Sequence, residues 1–511
     1  MTPTSAQITS PRTSGKRRWI GLAVLALPAL LASLELTVTN LALPSIGRDL
    51  TVGSTQLLWI VDVYAFFLAG SLITMGAWGD RIGRRRILLV GAAAYGVTSV
   101  LAAYAVNAEM LIATRALMGV AGATLMPSTL SLTATLFPEP RQRATAVGVI
   151  VASVSGGTAL GPLVGGWLLE RFWWGSAFLL SVPVMAVLLV LAPVLLPEHR
   201  DPAVRRLDVV SALLSLVTVL PIVYGLKRVA AEGVGPTSAL GIAVGLASGA
   251  AFVRRQRRLA EPFVRLELFA HRGFATAAGT LALGIFVLWG SNYAIAQYLQ
   301  LVEGLSPLHA GLWTAPSAVG VIVGSTLAPR IARVVDPPLV IGVGLLLAAL
   351  GYGVLTQVSG ANGLIVLVTG AIVVSLGLGP MMALATDMVI GAAPPEQAGA
   401  AAAISTTAPQ LGGALGIAVI GSVITAVYRR STAGSVPGDA PEAVVDAMRD
   451  NLGAAVTAIA RLTGPLATEL LDVARDAFTT GFHVAAGISA VLMAGTAVVV
   501  LMLRRDGSGR A

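Results

Sequence analysis

Residues 76–86 read GAWGDRIGRRR and join two long apolar runs, QLLWIVDVYAFFLAG upstream and ILLVGAAAYGVTSVLAA downstream. A membrane-spanning helix needs about 20 mainly apolar residues, and both runs with their flanks reach that length. The stretch between them therefore predicts a short basic loop at a membrane surface. Its glycines let two helices approach closely. Asp80 can accept from an arginine or a neighbouring helix N-terminus, and the arginines hold the loop at the interface. A plain basic loop would need neither these glycines nor an aspartate at these offsets.

The rest of the chain agrees with a membrane setting. Of its 511 residues 56% are hydrophobic and only 12% charged, with mean hydropathy +0.83; soluble domains carry roughly 25% charged residues. The absence of cysteine excludes disulfides, thiolate catalysis and Cys-ligated metals. The four histidines lack metal-ligand spacing, so no metal is expected. A net charge of +9 could suit nucleic acid, but the basic residues fall in short clusters between apolar runs, which argues against that partner. No nucleophile–base constellation near a membrane face indicates an enzyme, and no G-x-x-x-x-G-K-[ST] loop indicates ATP drive. The first apolar run follows a basic tail without an A-x-A-like cleavage site, as an uncleaved span does.

Fourteen spans are expected. The first six lie near 19–41, 55–78, 86–106, 110–132, 144–168 and 175–196. Two follow near 208–227 and 236–253, separated by KRVAAEGVGPTS. The last six lie near 273–301, 309–331, 338–357, 363–391, 398–428 and 480–503. Positive charge tests this map, because cytoplasmic loops collect Lys and Arg. With both termini cytoplasmic, the short outer loops hold only Arg48, Arg171, Lys227 and Arg228 of the 34 basic residues. Six spans, two inserted spans and six more suggest a duplicated transporter, whose substrate site would lie between the halves near the midplane.

The loop GAWGDRIGRRR resembles the signature of the major facilitator superfamily. In that family the aspartate belongs to a charge network that latches the cytoplasmic side. The resemblance assigns that role to Gly76, Asp80, Arg81, Gly83, Arg84 and Arg85, with Arg143 as a partner. Span 4 carries Arg115-Ala-Leu-Met-Gly119-Val-Ala-Gly122, similar to the family's fourth-helix motif with its buried arginine. Span 5 carries Gly157, Gly161, Pro162, Gly165 and Gly166. Glycines at four-residue spacing line one helical face for close packing, and the proline permits a bend. Ordinary small-residue packing would look similar, but the pattern resembles the family's antiporter motif. Spans 1 and 2 bring the chain close to the fourteen-span drug:proton antiporter branch. The resemblance implies two six-helix bundles (19–200 and 259–503), a two-helix insert (201–258), cytoplasmic tails (1–18 and 504–511) and a multi-pass place in the cytoplasmic membrane. It implies no cofactor beyond a proton gradient and a monomer as the working unit.

Segment 429–479 has apolar residues at helical spacing with acids and arginines opposite, which predicts two amphipathic helices broken around Thr463-Gly464-Pro465. They could rest on the outer interface or cover the outer vestibule.

Few ionisable residues fall within the predicted spans: Glu35 in LASLELTVTNLALP, Asp62 and Arg115, with Glu303 and Asp387 nearer span ends. Intramembrane charges usually pair, face a cavity and mark function. All three lie in the outer half, so they could share one cluster. Burial and a neighbouring arginine act oppositely on a carboxyl's hold on its proton, and a lipophilic cation can compete with that proton. Glu35 and Asp62 are thus the candidate coupling sites, with Arg115 as countercharge; a salt bridge that only holds helices is the alternative. The family more often has aspartate where Glu35 stands. Some relatives have acids in spans 10 and 13 where this chain has Val321, Ser405, Thr406 and Gln410, which points to monocationic rather than dicationic substrates. Trp59, Tyr64, Phe66, Trp289, Tyr293 and Trp313 are candidate pocket aromatics, with Asn292 and Gln297 as polar anchors, although any one of them is more often packing. The expectation is a proton-coupled exporter of lipophilic cationic drugs working by alternating access. A dedicated exporter of one compound and a non-transporting membrane sensor are the alternatives.

Overall fold

The computed structural model describes residues 15–198, 208–259, 262, 266–392, 398–433, 435, 437 and 440–508. The tail residues 1–14 and 509–511, and the boundary expected at 200–201, lie outside them.

The described residues form α-helices, two short 3-10 helices (Leu266–Ala270 and Gly360–Asn362) and a π-helical turn (Tyr298–Val302), joined by short turns, with no strand. The first bundle comprises α1 (Gly15–Asp49), α2 (Ser54–Ile82), α3 (Arg84–Ala103), α4 (Ala108–Gly122), α5 (Leu125–Leu136), α6 (Pro140–Arg171), α7 (Ser176–Leu179) and α8 (Ser181–Leu195). A hairpin of α9 (Val209–Glu232) and α10 (Pro236–Gln256) follows. The second bundle comprises α11 (Arg272–Gln297), α12 (Pro307–Ile331), α13 (Pro337–Leu355), α14 (Gly363–Gly391), α15 (Ala398–Thr432), α16 (Glu442–Asp450), α17 (Leu452–Ile459) and α18 (Pro465–Ser508).

Local chemistry explains many of these boundaries. Proline stands in the first turn of α6, α10, α12 and α13, where its missing N–H costs nothing. Asn107, Asp208, Ser306 and Asn451 each accept a backbone N–H as helix N-caps. Gly233 ends α9 at φ +83°, a conformation that glycine adopts freely.

Twelve described helical stretches are long and apolar enough to cross a membrane. Two further long helices are α2, of 29 residues with its apolar part at Gln56–Leu72, and α6, of 32 residues. The bundles repeat one packing scheme: α1 lies along α6 and α2 along α4, as α11 lies along α15 and α12 along α14. Each bundle has its own large apolar core. They meet where α6 runs along α12 and α2 along α15.

Two expectations change. Lys227 does not belong to a polar connection: α9 continues to Glu232, and the Lys227 side chain is buried. A lysine near a span end can extend its stem to solvent, but here an acid from α2 draws it inward. The first amphipathic helix of 429–479 is also two helices, split at Asn451, and the second is continuous with the last span in the 44-residue α18. α17 reaches α1, and Asp450, ion-paired with Arg429 at 3.2 Å, stands over Gly53 in the α1–α2 turn.

Candidate functional site

Four helices build the first charged cluster. Glu35 of α1 and Arg115 of α4 form an ion pair at 2.6 Å, with side chains 2% and 0% exposed. Arg115 Nε donates to the Ile60 carbonyl of α2 at 3.0 Å. The Tyr95 hydroxyl of α3 donates to Glu35 Oε2. The guanidinium lies 4.3 Å from the Tyr64 ring centroid and 5.6 Å from that of Phe178. Both carboxylate oxygens of Glu35 therefore have a partner, and the cation stacks on an aromatic face, an arrangement suited to charge away from water. Close helix approach makes this reach feasible: Gly119, one turn below Arg115, lets α4 pack against the Tyr64 and Leu68 backbone of α2.

Asp62 is elsewhere. It faces not Arg115 but Lys227 of α9, with Nζ 3.0 Å from Oδ2 and side chains 0% and 1% exposed. Oδ1 has no partner among the described residues. The same ammonium sits 4.3 Å from the Trp59 ring centroid. The two acids thus occupy separate clusters, each with its own countercharge. The signal for Lys227 was available in composition: the chain has two lysines, Lys16 and Lys227, and otherwise uses arginine.

The pocket candidates divide. Trp59, Phe66 and Trp289 meet in one apolar cluster with Val223 of α9 and Ala414 and Ala418 of α15, at the seam between the bundles. Tyr293 is buried nearby and its hydroxyl accepts from Gln297 at 3.3 Å. Tyr64 serves the Arg115 cluster. Asn292 and Trp313 are exposed.

The span-5 glycines set the position of α1, which carries Glu35. A Cβ at Gly161 would stand 2.8 Å from Thr37 Cβ, and one at Gly165 2.8 Å from Val38 Cγ2. Gly157 faces the Leu30 carbonyl, Gly166 packs on the Leu308 backbone of α12, and the Pro162 carbonyl meets Gly311. One helix face thus joins α1 to α6, and its neighbour joins the two bundles.

In the basic loop, Gly83 turns the chain at φ +117° between α2 and α3, and Gly76 packs α2 over Pro127 of α5. Arg85 donates to the Pro193 and Leu196 carbonyls at 3.1 and 3.0 Å, satisfying the end of α8. Glu198, which sequence patterning does not single out, accepts from the Arg85 backbone N–H and lies 3.7 Å from the Arg85 and Arg86 guanidinium groups. Arg81 and Arg143 are exposed. The side chain of Asp80, and with it the expected latch pairing, lies outside the described residues.

No group of His, Cys, Asp or Glu among the described residues is arranged to hold a metal ion.

Comparison with known proteins follows the packing scheme. The family model described as the Major Facilitator Superfamily matches residues 25–417. The chain belongs to the Major Facilitator Superfamily. Two superfamily relatives cover nearly the whole chain. The multidrug efflux pump LfrA of Mycolicibacterium smegmatis is 42% identical, across 96% of this chain and 97% of its own. The methyl viologen resistance protein SmvA of Salmonella typhimurium is 33% identical, across 92% and 94%. The fold resembles a bacterial homologue of the human lysosomal transporter Spinster, in an inward-facing and unoccupied state, with TM-score 0.64 and 18% identity over 96% and 99% of the chains. This superfamily member is a multi-pass efflux transporter of the cytoplasmic membrane, not an enzyme.

Proposed function

We propose that the protein exports lipophilic, monocationic drugs in exchange for protons by alternating access. The observation that carries this is the Glu35–Arg115–Tyr95 cluster: a carboxylate 2% exposed, inside a bundle and held by charge-assisted bonds. A proton or a cation at Glu35 competes with Arg115 for the same charge. Either one loosens the contact between α1 and α4 and so couples occupancy to conformation. Asp62 is the second acidic site.

Fourteen spans follow from adding α2 and α6 to the twelve apolar stretches, with α9 and α10 as the insert between two six-span bundles. The positive-inside pattern supports cytoplasmic termini. In that orientation the bundles close on the outer side, where Ser306 donates to Glu170 at 3.1 Å and Gly166 meets Leu308. This pattern supports an inward-open member of an alternating cycle. The basic loop, from Gly76 to Arg85 with Arg143, acts as the cytoplasmic latch of the opposite state, and α16 and α17 cover the outer end. The monomer is the transporting unit, and no cofactor takes part.

The test is efflux from proteoliposomes with an imposed pH gradient, over a panel of ethidium, tetraphenylphosphonium, methyl viologen and neutral drugs. Export of the monocations that stops when the gradient is collapsed is the expected result. Methyl viologen is a dication and names a relative's resistance, so its export at the rate of ethidium would overturn the monocation preference. Transport of a single compound only would make the protein a dedicated exporter, and gradient-independent export would remove proton coupling.

A further inference from the structure

The two buried acids differ in what remains open to a ligand. Arg115 and Tyr95 occupy both oxygens of Glu35. Lys227 occupies one oxygen of Asp62 and leaves Oδ1 without a partner in a fully buried position. The lysine arrives from α9, one of the two helices outside the six-plus-six scheme, and α9 packs against α2 of the first bundle and α15 of the second. Its ammonium lies between a carboxylate at 3.0 Å and an indole face at 4.3 Å. These are the two features, negative charge and aromatic face, by which proteins hold organic cations.

The choice of lysine is informative. A guanidinium would grip both oxygens of a carboxylate in a fork. An ammonium is a point charge on a flexible four-carbon stem, holds one oxygen and is more easily displaced. Both oxygens of the other buried acid, Glu35, are held, one by Arg115 and one by Tyr95, whereas a lone lysine holds a single oxygen of Asp62 in a chain with no other lysine beyond Lys16. The neighbouring Arg228 points its guanidinium at Tyr224, on its own helix. Tyr293 and Gln297 of α11 form the remaining described polar pair near the seam.

We propose that Lys227 is a tethered stand-in for the substrate: its ammonium occupies a cation site made by Asp62 and Trp59, and a lipophilic organic monocation binds there by displacing it. Displacement frees α9 from α2 at the seam of the bundles, which gives the inserted hairpin a direct part in the transport cycle. This rests on the reading of Asp62 as a substrate-facing acid.

The experiment is equilibrium binding of tetraphenylphosphonium to the purified full chain at about pH 8, comparing wild type with K227M, K227R, D62N and the D62N/K227M pair. Removing the internal competitor in K227M tightens binding about tenfold or more, equivalent to about 1.4 kcal/mol. K227R, which closes the site with a fork, weakens it by a similar factor. D62N weakens it, and the double variant follows D62N because the carboxylate that would hold the cation is absent from both. A lysine that only holds helices would give the reverse: K227R like wild type and K227M weaker. That pattern with D62N still impaired overturns the tether and leaves the reading of Asp62 standing. Unchanged binding in D62N overturns the reading of Asp62 itself. Should K227M fail to fold, reductive methylation of the wild-type protein decides, with Lys16 as internal standard. Saturating tetraphenylphosphonium exposes Lys227 to the reagent; continued protection overturns the proposal.

Discussion

Glu35 and Arg115, eighty positions apart in the chain, meet at 2.6 Å with both side chains buried. Arg115 is further held by the Ile60 carbonyl and the Tyr64 ring, so α1, α2 and α4 share one electrostatic contact. A pair this deep is not strong evidence of stability, because desolvation offsets much of its attraction. Its position, joining three helices of the first bundle, suits a contact whose breaking would let those helices shift.

Breaking the pair on one side strands a buried charge. Glu35→Gln is expected to destabilise the protein by about 3–5 kcal/mol and to abolish gradient-driven ethidium efflux. Glu35→Asp keeps the charge and retains partial transport. Thermal unfolding in detergent and efflux assays read the two effects separately; full efflux by Glu35→Gln would remove Glu35 from the coupling mechanism.

Gly161 and Gly148 of α6 differ in what surrounds them. A methyl group at Gly161 presses on Thr37, whereas one at Gly148 meets nothing within 4 Å. Gly161→Ala is therefore expected to cost about 1–3 kcal/mol, as overpacking does, and to slow efflux by displacing α1. Gly148→Ala, on the same helix, should leave both close to wild type. Equal effects from the two would sever the link between the span-5 motif and the seat of Glu35.

Gly83 holds φ +117° in the turn between α2 and α3, with Glu198 against it. Gly83→Ala is expected to cost about 1–3 kcal/mol in backbone strain and to release the Arg85–Glu198 contact. Hydrogen exchange over residues 84–90 should quicken; unchanged protection there would show that the turn tolerates a side chain.

Asp208 caps α9 and pairs with Arg255 of α10 at 2.9 Å. Burial acts to raise its carboxyl, but hydrogen bonds from Ser211 and Arg255 with the guanidinium charge outweigh it and hold the group below the usual carboxylate range. A depressed folded value stabilises above the ordinary aspartate value of about 3.9, and that contribution is lost as pH falls through the folded value. Asp208→Asn keeps the cap, because asparagine caps a helix as well as aspartate does, but loses the charge facing Arg255. Stability is therefore expected to fall by about 0.2–1 kcal/mol at neutral pH and by progressively less below about pH 4. A deficit that stayed constant down to pH 3 would rule out the charged form as the source.

Much was legible in advance because membrane burial imposes strict local rules. A span must be apolar for about 20 residues, and a charge within it needs a reason. Those rules exposed the helices, the loop at 76–86, the glycine face of α6 and the three intramembrane charges Glu35, Asp62 and Arg115. Tyr95 and Glu198 escaped notice because a tyrosine in an apolar run and an acid at a helix end are locally unremarkable. Their roles depend on partners 60 and 113 positions away.

Sequence alone determined where most apolar helices lie, since the bilayer acts as a solvent on each segment separately and its demands can be counted residue by residue. Lys227 is an exception: it reads as part of a connection and lies inside α9. Which charge meets which was decided only by the tertiary structure. Asp62 suited Arg115 by depth, yet the packing of α9 against α2 placed Lys227 there instead. Depth is a one-dimensional property written along the chain. A side chain's partner depends on how helices are arranged around one another in the membrane plane, and that comes from the combined packing of glycine faces and apolar cores across the whole protein.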